Sequence, residues 1–239
     1  RPFFDLGIQV CHPLQGSRPH KQVLWLSHHV PKTAGTSFRI ALNEAFGNRK
    51  VCRAYHNSKY STRLRYGQPI FLPFNSVVVH GHFQPHPAHS DQFPNARRII
   101  WIRDPLQRTI SLMKFIEGRT MRKAHFENFK KRYPATRVPF EDRLYEFIQT
   151  PDLFIQTRIY THWLEGFDPS EFAFIGQTER YNDGINSLNQ IMGIDIPTYH
   201  LNRSPKSGTL DSMETFESML TEEYKTYELW KAYSDKYFF

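Results

Sequence analysis

The chain has 239 residues, enough for one α/β domain with a sizeable hydrophobic core. Its 31 Lys and Arg residues outnumber its 23 Asp and Glu residues, and the formal net charge of +8 favours polyanionic partners over cationic ones. No apolar run approaches the roughly 18–20 residues of a membrane-spanning helix, so we expect no transmembrane segment in this sequence.

Apolar runs of strand length alternate with helical periodicity along the chain. In chain order, the pattern predicts an irregular arm at 1–21, a strand at 23–28, a helix at 36–46, a strand at 51–55, a loop at 57–75, a strand at 75–80, a loop at 84–95, a strand at 98–102, a helix at 105–117, a basic and partly helical stretch at 118–138, helices at 140–149 and 152–164, a strand at 172–176, and helices at 179–192 and 211–235. This alternation is typical of a three-layer, P-loop-like α/β fold in which helices flank a parallel β-sheet. We expect a single domain over residues 1–239.

The loop between the first predicted strand and helix carries a lysine, one glycine and paired hydroxyls, at Lys32, Gly35, Thr36 and Ser37. A small-residue turn at a helix N-terminus directs backbone N–H groups and a partial positive charge to one point, which is typical of phosphate binding. The nucleotide-binding pattern G-x-x-x-x-G-K-[ST] places its Lys after the second Gly, whereas Lys32 precedes the only glycine of this loop. The alternative is an ordinary turn with a solvated Lys and a Thr or Ser N-cap.

A second strand-to-helix junction has a similar composition. Arg103 follows the strand, Asp104 and Pro105 are suited to open a helix, and Ser111 lies about two turns along it. A guanidinium and a hydroxyl so placed can converge on one anion. Two anion sites at the ends of two parallel strands indicate one ligand that carries phosphates at both ends.

Several segments together resemble one enzyme family. Pro31–Ser37 resembles the 5′-phosphosulfate loop of sulfotransferases, and Arg103–Ser111, which reads R-D-P-x-x-R-x-x-S, resembles their 3′-phosphate motif. Val77–Phe83 is similar to the His-Gly-His segment of the uronyl and heparan sulfate 2-O-sulfotransferase branch. Phe172–Arg180 resembles a later strand and turn of that branch, and His200–Lys206 its basic loop over the nucleotide.

This resemblance implies a donor, 3′-phosphoadenosine-5′-phosphosulfate (PAPS), and an in-line transfer of its sulfuryl group to a hydroxyl, with no metal required. It implies that Lys32 stabilises the leaving oxygen and that His82 is the general base, with His80 as helper. The remaining donor-binding residues that it implies are Thr33, Ala34, Gly35, Thr36 and Ser37 in the first loop, Arg103 and Ser111 at the 3′-phosphate, and Arg203, Ser204 and Lys206 in a lid over the 3′-phosphate and adenine.

Three alternatives remain open at the sequence level. A kinase or NTPase explains the first loop only, and the sequence has no clear magnesium-binding Asp after a strand. A non-enzymatic module for polyanions explains the charge alone. A metal site at His80, His82, His86 and His89 has Asp91 as its only nearby carboxylate.

The acceptor is less defined than the donor. The resemblance suggests a sugar hydroxyl, as on an acidic glycan or a glycolipid, although a small alcohol stays open; a nucleic-acid partner is not expected. The basic residues of 118–138 form either a solvated face or a strip for an acidic glycan. Two cysteines are too few for a disulfide framework, which favours a cytoplasmic location. The alternative location is the Golgi lumen, if the chain is a fragment that lacks an N-terminal anchor.

Overall fold

The structure is a computed structural model that describes residues 18–55, 59–121, 123–199, 201 and 212–238. By their contacts, the described residues divide into two compact units. The first takes its residues from the ranges Arg1–Ile102, Gly166–Leu201 and Lys231–Phe239, and the second from Arg103–Glu165 and Asn202–Trp230. The single domain expected from the sequence stays a prediction.

The first unit contains a five-stranded, wholly parallel sheet with the strand order β2-β3-β1-β4-β5. The strands are β1 Trp25–His28, β2 Val51–Ala54, β3 Val78–Gly81, β4 Arg97–Ile102 and β5 Phe172–Gln177. Central β1 pairs with β3 on one side and with β4 on the other, so the direction of winding reverses at β1. In sheets of this kind, ligands bind outside the carboxyl ends of the strands at such a reversal. The predicted parallel α/β sheet is confirmed.

The helices account for most of the other elements. They are α1 Gly35–Phe46, α2 Lys59–Arg65, α3 His89–Gln92, α4 Pro105–Glu117, α5 Ala124–Arg132, α6 Phe140–Gln149, α7 Phe154–Thr157, α8 Ile159–Leu164, α9 Tyr181–Met192, α10 Met213–Met219 and α11 Thr221–Ser234. Short 3₁₀ turns occupy Pro151–Leu153, Pro169–Glu171, Thr178–Arg180 and Asp235–Tyr237.

Among the described residues, the apolar core of the first unit includes two clusters. In one, Phe38 and Leu42 of α1 are fully buried together with Trp101 of β4 and Leu188 of α9. Burial of a side chain of this size contributes about 1.5–3 kcal/mol. The other cluster, which includes Leu64 of α2, contains strand residues and the loops that follow β2 and β3. The spacing of apolar residues in α1 therefore fixes which face of that helix packs inward.

The second unit is helical, with a core supplied by α4, α5, α6 and α10. Its first helix begins as predicted, because the carboxylate of Asp104 accepts the N–H of Gln107 at 2.8 Å and Pro105 occupies the first turn. The fully buried Arg108 donates to the carbonyls of Gln156 and Thr157 at 2.9 and 2.8 Å. Arg108 is thus bound to the backbone of its own unit.

Four predicted elements differ from the structure, and the first is the predicted loop at 84–95, which contains the short helix α3. The predicted loop at 57–75 contains α2, which forms because Leu64 is fully buried in the core of the first unit. The predicted helix at 152–164 is divided at Arg158, whose ψ of 49° ends one helix before the next begins. The helix predicted at 211–235 is interrupted at Leu220, where φ is −111° and ψ is 22°. These interruptions depend on tertiary packing, which overrides local periodicity.

Two histidines near the carboxyl ends of the strands are buried in a neutral state. The Nδ1–H of His28 donates to the Phe83 carbonyl at 3.1 Å, and the Nε2–H of His89 donates to the Leu64 carbonyl at 2.9 Å. Burial lowers the pKa of His28 well below its ordinary value and lowers that of His89 to about 4. Since the unfolded chain keeps the ordinary pKa of 6.5, it binds protons first as the pH falls.

We therefore expect these two neutral histidines to make their full contribution to the free energy of unfolding above about pH 6.5. That contribution should decline as the pH falls toward the folded-state pKa values. Each such histidine should cost on the order of 1–2 kcal/mol by pH 5. Urea unfolding at pH 7.5, 6.0 and 5.0 measures the decline, and a His89→Leu variant should show a shallower one. Equal unfolding free energies across this range would contradict the neutral burial.

Candidate functional site

The loop that joins β1 to α1 has an unusual backbone. Lys32 has a φ of 74° and Ala34 a φ of 59°, so two residues with a Cβ adopt left-handed conformations in one short turn. The Thr33 hydroxyl donates to the Val30 carbonyl at 2.8 Å and braces the turn from within. When successive residues alternate between right-handed and left-handed backbone conformations, their N–H groups point toward one position and create an anion-binding concavity.

The N-terminus of α1 is not capped by a side chain. Ala34 is the N-cap residue, and its carbonyl accepts the N–H of Phe38 at 3.1 Å. The alternative of an ordinary turn with a Thr or Ser N-cap is therefore wrong. The N–H groups of the first helical turn have no partners within the helix, so together with the macrodipole they favour a negative ligand.

The predicted side chains of this loop have different environments. Lys32 is half-buried, Thr36 is exposed, and Thr33 is buried. Ser37 is also buried; its Oγ accepts the Leu201 N–H at 3.0 Å and lies 3.4 Å from the Leu201 carbonyl. This contact places the start of the predicted basic loop beside α1.

The lid residues themselves, Arg203, Ser204 and Lys206, lie outside the described residues.

The loop and the His-Gly-His segment come together through His29. A Cβ added to Gly35 would lie 1.8 Å from Nε2 of the His29 ring, so only glycine fits at this close approach. The His29 ring centroid lies 4.5 Å from that of His82 and 5.4 Å from that of His80, with the second pair stacked. The structure therefore brings the predicted phosphate loop and both predicted catalytic histidines into one cluster.

Tyr55 belongs to this cluster, although sequence reasoning missed it. Its hydroxyl lies 2.8 Å from Nε2 of His80 and 3.1 Å from Nδ1 of His29, while the Ser27 hydroxyl lies 2.8 Å from Nδ1 of His80. The Tyr55 ring also packs edge-on against His82 at 4.7 Å. One signal was available: Tyr55 ends a predicted strand, and strand ends line the ligand edge of a parallel sheet.

The central histidine of the cluster is neutral. Burial, together with the neighbouring His82 and Arg39, lowers the pKa of His80 to about 3. Burial raises the pKa of the Tyr55 hydroxyl, against the opposing effect of Arg39 and Arg53. His80 therefore carries one ring proton near neutral pH, and it faces Ser27 and Tyr55 with its two nitrogens.

His82 differs from His80 in being only partly buried. Its carbonyl accepts a hydrogen bond from the Ser61 hydroxyl at 2.7 Å, which holds the backbone after β3 in place. Its ring packs against those of His29 and Tyr55, and both of its nitrogens are shielded from solvent. A proton acceptor at this position would act within a site largely free of bulk water.

Arg103 and Ser111 belong to the second unit. The backbone of Arg103 is fixed by Tyr160, whose hydroxyl accepts the Arg103 N–H and approaches the Arg103 carbonyl, each at 2.7 Å. Asp104 is held in turn by the Tyr224 hydroxyl at 3.0 Å. Ser111 lies on α4 with only 6% of its surface exposed.

The proposed histidine metal site has no support in the described ranges. They contain no group of three or more His, Cys, Asp or Glu side chains that could hold a metal ion. Nδ1 of His86 accepts the Ala88 N–H at 3.1 Å, and Nε2 of His89 donates to a carbonyl, so both rings are committed to the backbone. In the same part of the chain, no helix is both long enough and apolar enough to cross a membrane.

A separate cleft of about 440 Å³ lies near the amino ends of β4 and β5. Its main charged groups are Arg98 and Glu171, which form an ion pair at 2.6 Å. Arg98 also contacts the His86 carbonyl and the Ser90 hydroxyl at 3.3 and 3.4 Å. This cleft does not include the loop or Tyr55, so it is distinct from the candidate site.

The contact between Gly35 and His29 leads to a prediction. Gly35→Ala should displace the His29 ring and destabilise the protein by about 1–3 kcal/mol, because the added methyl group overlaps the imidazole. Thermal and urea unfolding measure the loss. Gly118→Ala is the matched control, since its Cβ would meet its nearest neighbour at an ordinary 3.4 Å. Equal stability of the two variants would show that the approach is looser than described.

Comparison with known proteins places this chain in a family. Mouse sulfotransferase SULT7A1 complexed with PAP is similar in structure with a TM-score of 0.50 and 9% sequence identity, over 93% of this chain and 91% of that chain. A sulfotransferase from Alicyclobacillus acidocaldarius aligns with a TM-score of 0.48 and 11% identity, over 91% of this chain and 96% of that chain. No curated protein sequence matches the chain. A sequence model described as the sulfotransferase family matches residues 18–234. Because that match covers most of the sequence, the chain belongs to the sulfotransferase family.

Proposed function

We propose that this protein transfers the sulfuryl group of PAPS to the hydroxyl of an acceptor molecule. The observation that carries the proposal is the uncapped N-terminus of α1, with Lys32 in the preceding loop, the His29 ring beside Gly35 and the His82 ring next to that of His29. An anion cradle in contact with imidazoles suits the transfer of an anionic group to a hydroxyl that must lose its proton. The PAP bound in the mouse structure supports this donor by analogy of fold.

In this reaction, the acceptor oxygen forms a bond to sulfur while the bond between sulfur and the bridging oxygen of the 5′-phosphate breaks. The electron pair of that bond leaves with PAP, and the acceptor proton passes to a base on the protein. Charge develops on the leaving oxygen as in phosphoryl transfer, where preorganised positive groups supply most of the catalysis. We assign this role to Lys32, assisted by the N–H groups of Thr33–Thr36, and assign Ser37 to the 5′-phosphate.

We assign the base to His82. Its ring lies next to His29, which contacts the loop at Gly35, so it is near the point where the transferring group would sit. Imidazole is the side chain that most readily gains and loses a proton near neutral pH, which suits the removal of a hydroxyl proton. His80 is neutral and faces Ser27 and Tyr55, so its support for the reaction acts through those partners.

We assign the 3′-phosphate to Arg103 and Ser111 on the strength of the sequence motif and of the rigid backbone at Arg103. A guanidinium on a fixed backbone binds a phosphate with less loss of conformational entropy than a mobile one. We assign the lid over the 3′-phosphate and adenine to Arg203, Ser204 and Lys206 from the same resemblance.

For the acceptor, we propose a sugar or other alcohol, and an acidic glycan or glycolipid fits best. Arg39 and Arg53 both act electrostatically on Tyr55, so positive charge surrounds the cluster in which the acceptor hydroxyl would react. We further propose a single domain that works in the cytoplasm, or in the Golgi lumen if the chain is part of an anchored protein.

Donor selection is tested by calorimetry with PAP and with ATP-magnesium. PAP should bind tightly and ATP-magnesium weakly, and Arg103→Ala should weaken PAP binding by roughly 2–5 kcal/mol while leaving a ligand without the 3′-phosphate largely unaffected. Arg137→Ala is the control, because it removes an exposed charge from the same unit. Preference for ATP-magnesium would favour a kinase or NTPase instead.

The two catalytic assignments should differ in their kinetics. Lys32→Ala should abolish turnover and weaken PAP binding, because it removes the charge at the leaving oxygen. His82→Ala should lower kcat by roughly 10²–10⁴-fold and leave PAP affinity unchanged, since a base acts on the acceptor. Sulfate transfer from labelled PAPS and calorimetry measure both effects, with Lys21→Ala and His162→Ala as exposed controls. Full activity of Lys32→Ala or of His82→Ala would show that another residue has the role assigned to Lys32 or to His82.

A further inference from the structure

We propose that Tyr55 is a positioning residue that determines which ring nitrogen of His29 carries the proton, and that this tautomer supports the base. No sequence motif includes Tyr55, and none assigns His29 a role in the reaction. The inference rests on the proposed function, because it concerns the same site. It starts from a chain of hydrogen-bonding groups: Ser27, His80, Tyr55 and His29, with successive contacts of 2.8, 2.8 and 3.1 Å.

The number of protons in this chain is limited. The Tyr55 hydroxyl has a single proton but lies within hydrogen-bonding distance of two imidazole nitrogens, Nε2 of His80 and Nδ1 of His29. It can donate to only one of them, so the other nitrogen must be protonated and donate to Tyr55. Because His80 is buried and neutral, it has one ring proton to place. The tautomers of His80 and His29 are therefore coupled through one oxygen atom.

Two arrangements of protons satisfy these three contacts. In the first, Nδ1–H of His29 donates to Tyr55, Tyr55 donates to Nε2 of His80, and Nδ1–H of His80 donates to Ser27. In the second, every bond is reversed, and a neutral His29 then carries its proton on Nε2. The two arrangements differ in what His29 presents at its Nε2 edge, which is a lone pair in the first and an N–H group in the second.

The position of Gly35 selects between them. Nε2 of His29 lies against Gly35, which is the first residue of α1. The N-terminus of a helix carries a partial positive charge, which attracts a lone pair and repels an N–H group. The first arrangement is therefore favoured, and His29 is held as the neutral Nδ1–H tautomer with its lone pair toward the helix.

This tautomer has a consequence for His82, whose ring lies 4.5 Å from that of His29. When His82 takes the proton from the hydroxyl of the acceptor molecule, it becomes an imidazolium cation. A positive charge on His29 at this distance would oppose that protonation. A neutral His29 avoids the repulsion. Among the described residues, Arg39 from α1 and Arg53 from β2 also act on Tyr55 and His80, and they too disfavour an additional positive charge.

The experiment uses the tautomer itself as its readout. Long-range ¹H–¹⁵N correlation spectra of the whole protein, with ¹⁵N-labelled histidine at pH 7.5, distinguish protonated from unprotonated ring nitrogens. A His29→Gln variant assigns the His29 signals. We expect the wild type to carry the His29 proton on Nδ1 and Tyr55→Phe to shift it toward Nε2, because the hydroxyl that accepts from Nδ1 is removed. Tyr66→Phe, which alters an exposed tyrosine, should leave the spectrum unchanged.

Kinetics provide the second readout. Tyr55→Phe should lower kcat roughly 10–100-fold with little change in the KM for PAPS, since its ring still packs against His82 and the loop is untouched. Should Tyr55→Phe fail to fold, Ser27→Ala interrupts the far end of the chain, and it should alter the His80 signals and, through Tyr55, those of His29. A wild-type proton on Nε2 of His29, or His29 signals that both variants leave unchanged, would overturn the proposal. The spectra require no turnover, so this outcome is distinguishable from an absence of sulfotransferase activity.

Discussion

The approach of the α1 N-terminus to the His29 ring is the contact on which the rest of the site depends. It requires a residue without a Cβ at Gly35, and it brings an imidazole to the positive end of a helix. From this position, His29 contacts both His82 and Tyr55. One steric constraint therefore links the anion loop to the segment after β3, although the two are far apart in sequence.

The conformation of the loop has an energetic cost that the core offsets. Left-handed backbone at Lys32 and Ala34 costs roughly 1–2 kcal/mol for each residue. Immediately after the loop, Phe38 is fully buried against His80 and Trp101, with ring centroids 5.8 and 5.5 Å apart, and it anchors the first turn of the helix. A loop that packing holds in this conformation already has its N–H groups oriented for an anion. Binding then requires little further ordering.

The sequence predicted the features that depend on local pattern. All five strands, the start of α1 and the Asp104 cap follow from apolar runs and helix-start signals that lie within a few residues of each other. Tyr55 could not be assigned in this way, because its role requires that β2 lie beside β3, with Ala54 paired to Gly81. Strand order is a property of the whole chain, so a residue whose partners lie on other strands looks like an ordinary strand residue.

The choice of tyrosine at the centre of the cluster has a physical reason. A carboxylate at this position would also orient His29, but it would raise the pKa of that imidazole and favour a cation beside His82. It would also attract Arg39 and Arg53, which act electrostatically on Tyr55. A buried hydroxyl whose pKa is raised stays neutral, and it still imposes one direction on its two hydrogen bonds. Tyr55 therefore supplies orientation without charge, in a place where added charge of either sign would disturb the proposed proton transfer.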